Sequence, residues 1–274
     1  MKKNGFLIMM LLAIFGCADD REAALEQATV RMSFFQMEAM TRTATPIGDV
    51  CSQLDVWVIH ENDTISIHQQ STDADFGTVG LTLDKTLTYQ LVAIAHKSAD
   101  AAVLADGVIR FADEKVTQAM IYTTAFSPAT TTDMSCTMQR IVGMFRLETT
   151  DAVPEEVKQI KFTIPATGTR WDIAGHAANS TERENTIAIT STRQDGTVAL
   201  SIYVMAEDLT TTDANEITVQ TLTAQGTVTN SRTFHEVPIK AGYKTTYRGN
   251  LFVTTPTASS FYVGEWSEFE VREF

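Results

Sequence analysis

Apolar and polar residues alternate along most of the chain beyond residue 24, and Thr, Val and Ile recur within the alternation. A period of two sends successive side chains to opposite faces of a strand, and β-branched residues suit a pleated surface. The pattern therefore predicts strands almost throughout. Val198–Met205 shows it best: Val198, Leu200, Ile202 and Val204 share one face, and Ala199, Ser201, Tyr203 and Met205 share the other. Comparable runs occupy Leu54–Ile59, Leu87–Ala95, Phe145–Glu148, Ile160–Ile164, Ile217–Leu222 and Tyr243–Val253. Glu61-Asn62-Asp63, Gln194-Asp195-Gly196 and Ala241-Gly242 supply turn chemistry between them. Asp113–Tyr122 and the stub Ala23–Gln27 suit short helices. Many short strands with frequent turns predict an all-β fold, a sandwich or barrel rather than βαβ units.

A stretch rich in Thr, with Ser and Pro, runs from Thr123 to Asp133 and offers little to bury. Placing a joint there divides the chain into residues 25–132 and 133–274, each of a size that suits one β-sandwich. No period of the length used by repeat arrays recurs.

The first seventeen residues depart from the alternation. Lys2 and Lys3 precede an unbroken apolar run from Phe6 to Phe15, closed by Gly16-Cys17. A basic start, an apolar centre and a small residue before the cut make a secretory signal. The run falls short of the roughly 20 apolar residues that a membrane-spanning helix needs. Ile14-Phe15-Gly16-Cys17 resembles a bacterial lipobox, so residues 1–16 read as a lipoprotein signal and Cys17 as the acylated first residue of the mature chain. Residues 17–24, with Asp19, Asp20 and Glu22, read as an acidic tether. The formal net charge is −13, and −15 once Lys2 and Lys3 leave with the signal. So acidic a body has no electrostatic case for nucleic acid or for direct docking on an anionic bilayer. Two cysteines remain after Cys17. Cys51 and Cys136 either pair as a disulfide in an oxidising compartment or sit apart as small core residues.

The chain shows no P-loop, GxSxG elbow or GxGxxG. His60-Glu61 begins like a zinc-protease helix, but Thr64 stands where the second histidine would be. The five histidines, at 60, 68, 96, 176 and 235, lack ligand spacing and read as solvated side chains. Asp73 and Asp75 are not embedded in a calcium loop. Asp63-Thr64-Ile65 resembles a bacterial O-glycosylation acceptor, although its residues read first as a turn. No enzyme, cofactor or metal site is expected. Trp57, Trp171 and Trp266 would serve either as core and edge packing or as a sugar platform. The latter supports an alternative function, carbohydrate binding by a surface lipoprotein of a glycan-uptake system.

The terminal strands carry a further signal. Val30, Met32 and Phe34 face one way in Ala28–Met37, with Arg31, Ser33 and Gln36 interrupting the rest. A polar loop follows, Glu38–Asp49, in which Arg42-Thr43 is an exposed basic bond. The final strand, Glu265–Phe274, alternates Phe269 and Val271 with Glu268, Glu270 and Arg272. A charged face of that kind guards an edge strand, and it equally suits a strand that leaves its domain to complete another.

Taken in order, these segments resemble the fimbrillins, the subunits of type V pili of Bacteroidia-type bacteria. The lipobox, the acidic tether, the first strand and Arg42 come first. Leu54-Asp55-Val56-Trp57-Val58-Ile59 follows, then Met138–Phe145 around Arg140 with Val153–Ile160, then Lys240–Tyr247 and the terminal Gly264-Glu265-Trp266 strand. The resemblance implies two transthyretin-like (Greek-key) β-sandwiches in tandem and a non-catalytic, polymerising role at the cell outer membrane. It implies cleavage after Arg42, loss of the strand carrying Val30, Met32 and Phe34, and filling of the vacated groove by a neighbour's C-terminal strand. Glu265, Trp266, Phe269, Val271 and Phe274 would belong to that donor. Other fimbrial subunits are the implied partners, in adhesion and biofilm formation. Whether the chain is a shaft, accessory or anchor subunit stays open.

Overall fold

The computed structural model describes residues 26–37, 44–253 and 260–265. The first ten strands are β1 (Gln27–Met37), β2 (Ala44–Pro46), β3 (Gln53–His60), β4 (Asp63–Gln70), β5 (Thr78–Asp84), β6 (Tyr89–His96), β7 (Val103–Ala105), β8 (Val108–Arg110), β9 (Ala119–Phe126) and β10 (Asp133–Arg140). The second ten are β11 (Val142–Thr149), β12 (Gln159–Thr167), β13 (Arg170–Asp172), β14 (His176–Ala177), β15 (Thr181–Ala188), β16 (Ala199–Met205), β17 (Thr212–Leu222), β18 (Val228–Lys240), β19 (Tyr243–Gly249) and β20 (Ser260–Glu265). The helical content among the described residues is two 3-10 turns, Ile47–Asp49 and Ala112–Glu114. The fold is all-β, as the alternation predicts.

The first sandwich sets β5-β1-β10, with β2 beside the end of β1, against β4-β3-β6-β9. The second sets β16-β11-β19-β20 against β15-β12-β17-β18. In each, the first strand lies inside its sheet and runs parallel to a late one: β1 beside β10, and β11 beside β19. The second core is built around an aromatic group in which Phe145 meets Phe162 edge-on at 6.1 Å between ring centres. Tyr247 meets Phe234 there at 4.8 Å. Gly143 lets β11 approach β18, since a Cβ at that position would lie 2.8 Å from the Lys240 carbonyl oxygen.

The boundary differs from the one that composition suggests. β10 pairs with β1 and, through Gln139 and Arg140, with β9, so hydrogen bonding assigns it to the first sandwich. The chain passes to the second sandwich at Ile141, one strand later than Asp133. The polar Thr123–Asp133 stretch covers the end of β9 and a surface turn. Asp113–Tyr122 is likewise not a helix. Met120 points into the first core while Ala119 and Ile121 point the other way, an arrangement only a strand provides.

That second direction leads to a third core. Leu54, Val56 and Val58 of β3 enter the first core, and Trp57 enters a cluster between the sandwiches. β6 divides in the same way, with Leu91 and Ala93 on one side and Val92 and Ile94 on the other. Burial on both faces explains why Leu91–Ala95 is continuously apolar rather than alternating. Trp171, fully buried, fills the cluster from the second sandwich, and β13 pairs with β8 directly through Trp171 and Ile109. The result is a four-stranded ribbon, β14-β13-β8-β7, drawn from both halves of the chain. Arg170 pairs with Glu114 beside it. Arg183 donates to the carbonyls of Tyr203 at 2.7 Å and Val116 at 2.9 Å, and burial pulls its guanidinium down to about 10.

Truncating Trp171 to Ala removes the largest fully buried side chain of this seam and is expected to cost about 3–5 kcal/mol. Denaturant unfolding followed by fluorescence and circular dichroism checks it. Stability within about 1 kcal/mol of the parent would show that the seam contributes little.

Candidate functional site

β1 occupies the interior of its sheet. Residues Gln27–Ser33 pair antiparallel with β5, and Arg31–Gln36 pair parallel with β10. Val30 and Met32 are fully buried and Phe34 is 1 % exposed, while Arg31 between them is exposed. The three apolar side chains meet Val79 and Leu83 of β5, with Ile47, Cys136 and Met138, in the first core. Gly77 keeps the neighbouring turn tight. Its φ of +87° favours glycine, a Cβ there would lie 2.9 Å from Ile47, and its carbonyl accepts the Phe34 N–H at 2.9 Å. Each of the three buried side chains contributes roughly 1.5–3 kcal/mol by leaving water.

Gln36 does not break up the outer face, as its polarity suggested. Period two puts it in line with Val30, Met32 and Phe34, and it is 6 % exposed. Its amide oxygen accepts Nη2 of Arg140, at the end of β10, at 3.0 Å. The inward face of β1 thus reads apolar, apolar, apolar, acceptor.

At the other end, β20 pairs antiparallel with β19 and forms the outer edge of its sheet. Glu265, opposite Tyr243, is its last paired residue. Trp266, Phe269, Val271 and Phe274 lie outside the described residues, as do Cys17, Arg42 and Thr43. Residues 38–43, which include Arg42, connect two described strands, β1 and β2, which themselves pair from Phe35–Met37 to Ala44–Pro46.

Cys51 and Cys136 are free thiols, both buried in the first core. Of the two readings left open by their spacing, the structure takes the separate one. Burial pushes both thiols up to about 12, which leaves them protonated and unreactive at neutral pH.

The histidines are not uniformly solvated. Asp55, buried, accepts His68 Nδ1 at 2.7 Å, His96 Nε2 at 2.9 Å and the Ala102 N–H at 2.8 Å. His96 is fully buried, and its Nδ1 accepts the Ser98 N–H at 3.2 Å, which fixes the proton on Nε2. The three side chains come from adjacent strands β3, β4 and β6, so their proximity depends on sheet pairing and has no local signature. The carboxylate is satisfied by donors, the solution expected for a buried charge. Asp73 accepts the Gln70 N–H at 2.8 Å. Thr64 and Ile65, read as part of a turn, are exposed residues of β4. Among the described residues no group of three or more His, Cys, Asp or Glu side chains is placed to hold a metal ion, and no helix is long and apolar enough to cross a membrane. Trp57 and Trp171 are both buried and offer no exposed platform. A hollow of about 440 Å³ in the second sandwich has Glu207 and Asp213 as its carboxylates, and Asp213 is engaged with the Glu207 N–H at 2.7 Å.

No family model and no curated protein matches the chain by sequence. Solved structures do match by shape. A protein assigned as an adhesin from Bacteroides ovatus superposes with a TM-score of 0.56 at 11% identity, covering 88% of this chain and 95% of that one. Another, from Bacteroides thetaiotaomicron, gives 0.53 at 10% identity, covering 88% and 96%. A Bacteroides ovatus protein assigned to cell adhesion gives 0.50 at 10% identity, covering 90% and 100%. The chain therefore has the fold of these Bacteroides adhesin-class proteins, in agreement with the β-sandwich fold that its resemblance to the fimbrillins implies.

Proposed function

We propose that the protein is a subunit of a cell-surface fimbria, exported and tethered to the outer membrane through acylated Cys17, and assembled by strand exchange in adhesion. The observation that carries this reading is the place of β1. It is the strand next to a basic bond, Arg42-Thr43, and it sits between β5 and β10 with Val30, Met32 and Phe34 in the core. Cleavage after Arg42 severs β1 from everything that follows it. Its departure leaves β5 without a partner strand among those described and uncovers an apolar slot. Such a slot demands a replacement strand, because open backbone edges and exposed core residues aggregate. The C-terminal segment of a neighbouring subunit, from Glu265 onward, has the alternation to fill it. A subunit that keeps β1 and its lipid would act as an anchor, and one that loses both as part of the shaft or its accessories.

The carbohydrate-binding alternative rested on the tryptophans. Burial of Trp57 and Trp171 removes its support among the described residues.

Limited cleavage by a trypsin-like protease after Arg42 is expected to convert monomers into SDS-resistant oligomers on gels. Arg42→Ala, or deletion of residues 265–274, is expected to stop this; clean cleavage that leaves only monomers would refute the shaft role. A second measurement follows β1 itself. Cys136 lies opposite Phe34 in the parallel ladder, so it is protected while β1 is in place. In a chain lacking residues 265–274, its peptide, followed by mass spectrometry, should take up a thiol reagent at pH 8 only after cleavage and loss of β1. Equal protection with β1 gone would mean that the slot closes instead of opening.

A further inference from the structure

Among the described residues, the inward face of β1 makes a side-chain hydrogen bond at Gln36, and that contact discriminates between ways of filling the slot. We propose that Arg140 is the specificity-determining residue of the slot, and that Glu273 from the tail of a second copy of this chain takes the place of Gln36 against it. The inference rests on the strand-exchange reading above.

The argument begins with register. A strand replacing β1 in the same direction meets backbone groups already spaced for it, antiparallel on β5 and parallel on β10. It must present four inward side chains, at the positions of Val30, Met32, Phe34 and Gln36. Residues 266–274, beyond β20, allow three such settings. Starting at Trp266 puts Glu268 and Glu270 at the sites of Met32 and Phe34, and Arg272 against Arg140. Starting at Glu268 buries Glu268, Glu270 and Arg272 in the three apolar sites. Burying an unpaired charge in sites so closed is prohibitive. Starting at Ser267 places Ser267, Phe269 and Val271 in the apolar sites and Glu273 at that of Gln36. This is the one setting of the three that keeps charge out of the core, and it is also the one that brings an acceptor to Arg140.

The replacement is not neutral. Gln36 offers Arg140 an amide oxygen at 3.0 Å, whereas Glu273 offers a carboxylate. Charge-assisted hydrogen bonds to a guanidinium are shorter and stronger than those to a neutral acceptor. Arg140 is only partly buried, so its desolvation by a new partner is limited. The incoming tail loses packing where Ser267 replaces Val30 and gains an ion pair where Glu273 replaces Gln36. Arg140 thereby reads the one inward position at which the tail differs in charge from β1, and selects the register with it.

The test uses the full chain cut after Arg42 and a synthetic peptide of residues 266–274, with displacement of β1 measured by mass spectrometry and peptide affinity by fluorescence anisotropy. Peptides with Glu273→Gln, Glu273→Ala and Glu273→Lys complete the series. The parent peptide is expected to bind best and the Gln peptide next. The Ala peptide should bind about tenfold more weakly than the parent and the Lys peptide more weakly still. In an Arg140→Ala chain the parent and Ala peptides should differ by less than about twofold. If that chain fails to fold, the peptide series on the parent protein decides alone. Equal binding of the Glu, Ala and Lys peptides, with β1 displaced, overturns the role of Arg140 and leaves strand exchange standing. Failure of every peptide to displace β1 overturns both.

Discussion

The first sandwich depends on a strand that the chain does not need for its connectivity. β1 bonds to β5 along one edge and to β10 along the other, and it delivers Val30, Met32 and Phe34 to the core. Without it, β5 has no pairing partner among the described strands, and β10 keeps only Gln139 and Arg140 on β9. An interior strand normally lies mid-chain, where its loss is impossible. Here it stands first among the described strands, with residues 38–43 between it and the next.

The opposing sheet is built to the contrary specification. β3, β6 and β9 bury both faces, one against the first core and one against the seam with the second sandwich. Trp171, Ile141 and Met205 press on that outer face, and the ribbon of β7, β8, β13 and β14 ties the two halves by backbone bonds. One wall of the first sandwich is therefore fixed to the rest of the molecule, and the other contains β1. Replacement of β1 would leave the fixed wall and the second sandwich untouched.

Much of this was legible in the residues. The alternation at Val198–Met205, Leu54–Ile59 and Ile160–Ile164 marked strands because each packs one or both faces against a single flat neighbour. The inward set Val30, Met32 and Phe34 followed from period two alone. The same period would have placed Gln36 inward, but its polarity masked it until the bond to Arg140 supplied the reason. The domain boundary was misplaced because the inward residues of β10, Cys136 and Met138, are outnumbered by Thr, Ser, Asp and Gln. Three-residue strands such as β8 and β13 carry too few positions to show any period, and the convergence of Asp55, His68 and His96 requires three strands to be paired first. The shape agreement with the Bacteroides proteins, at 10–11% identity, reflects the same limit. Two chains can share this shape while sharing few side chains.

The parallel pairing of β1 with β10, echoed by β11 with β19, has a geometric consequence. A chain whose entering and leaving strands point the same way comes in at one pole of the sandwich and goes out at the other. The first sandwich is such a unit; in the second, β20 folds back antiparallel on β19, so the described chain turns toward the pole at which it entered and the two units differ in sense. A body built of two unlike units has two unlike ends, and a line of such bodies joined head to tail keeps that difference. Growth at one extremity and attachment at the other are then distinct events by geometry alone.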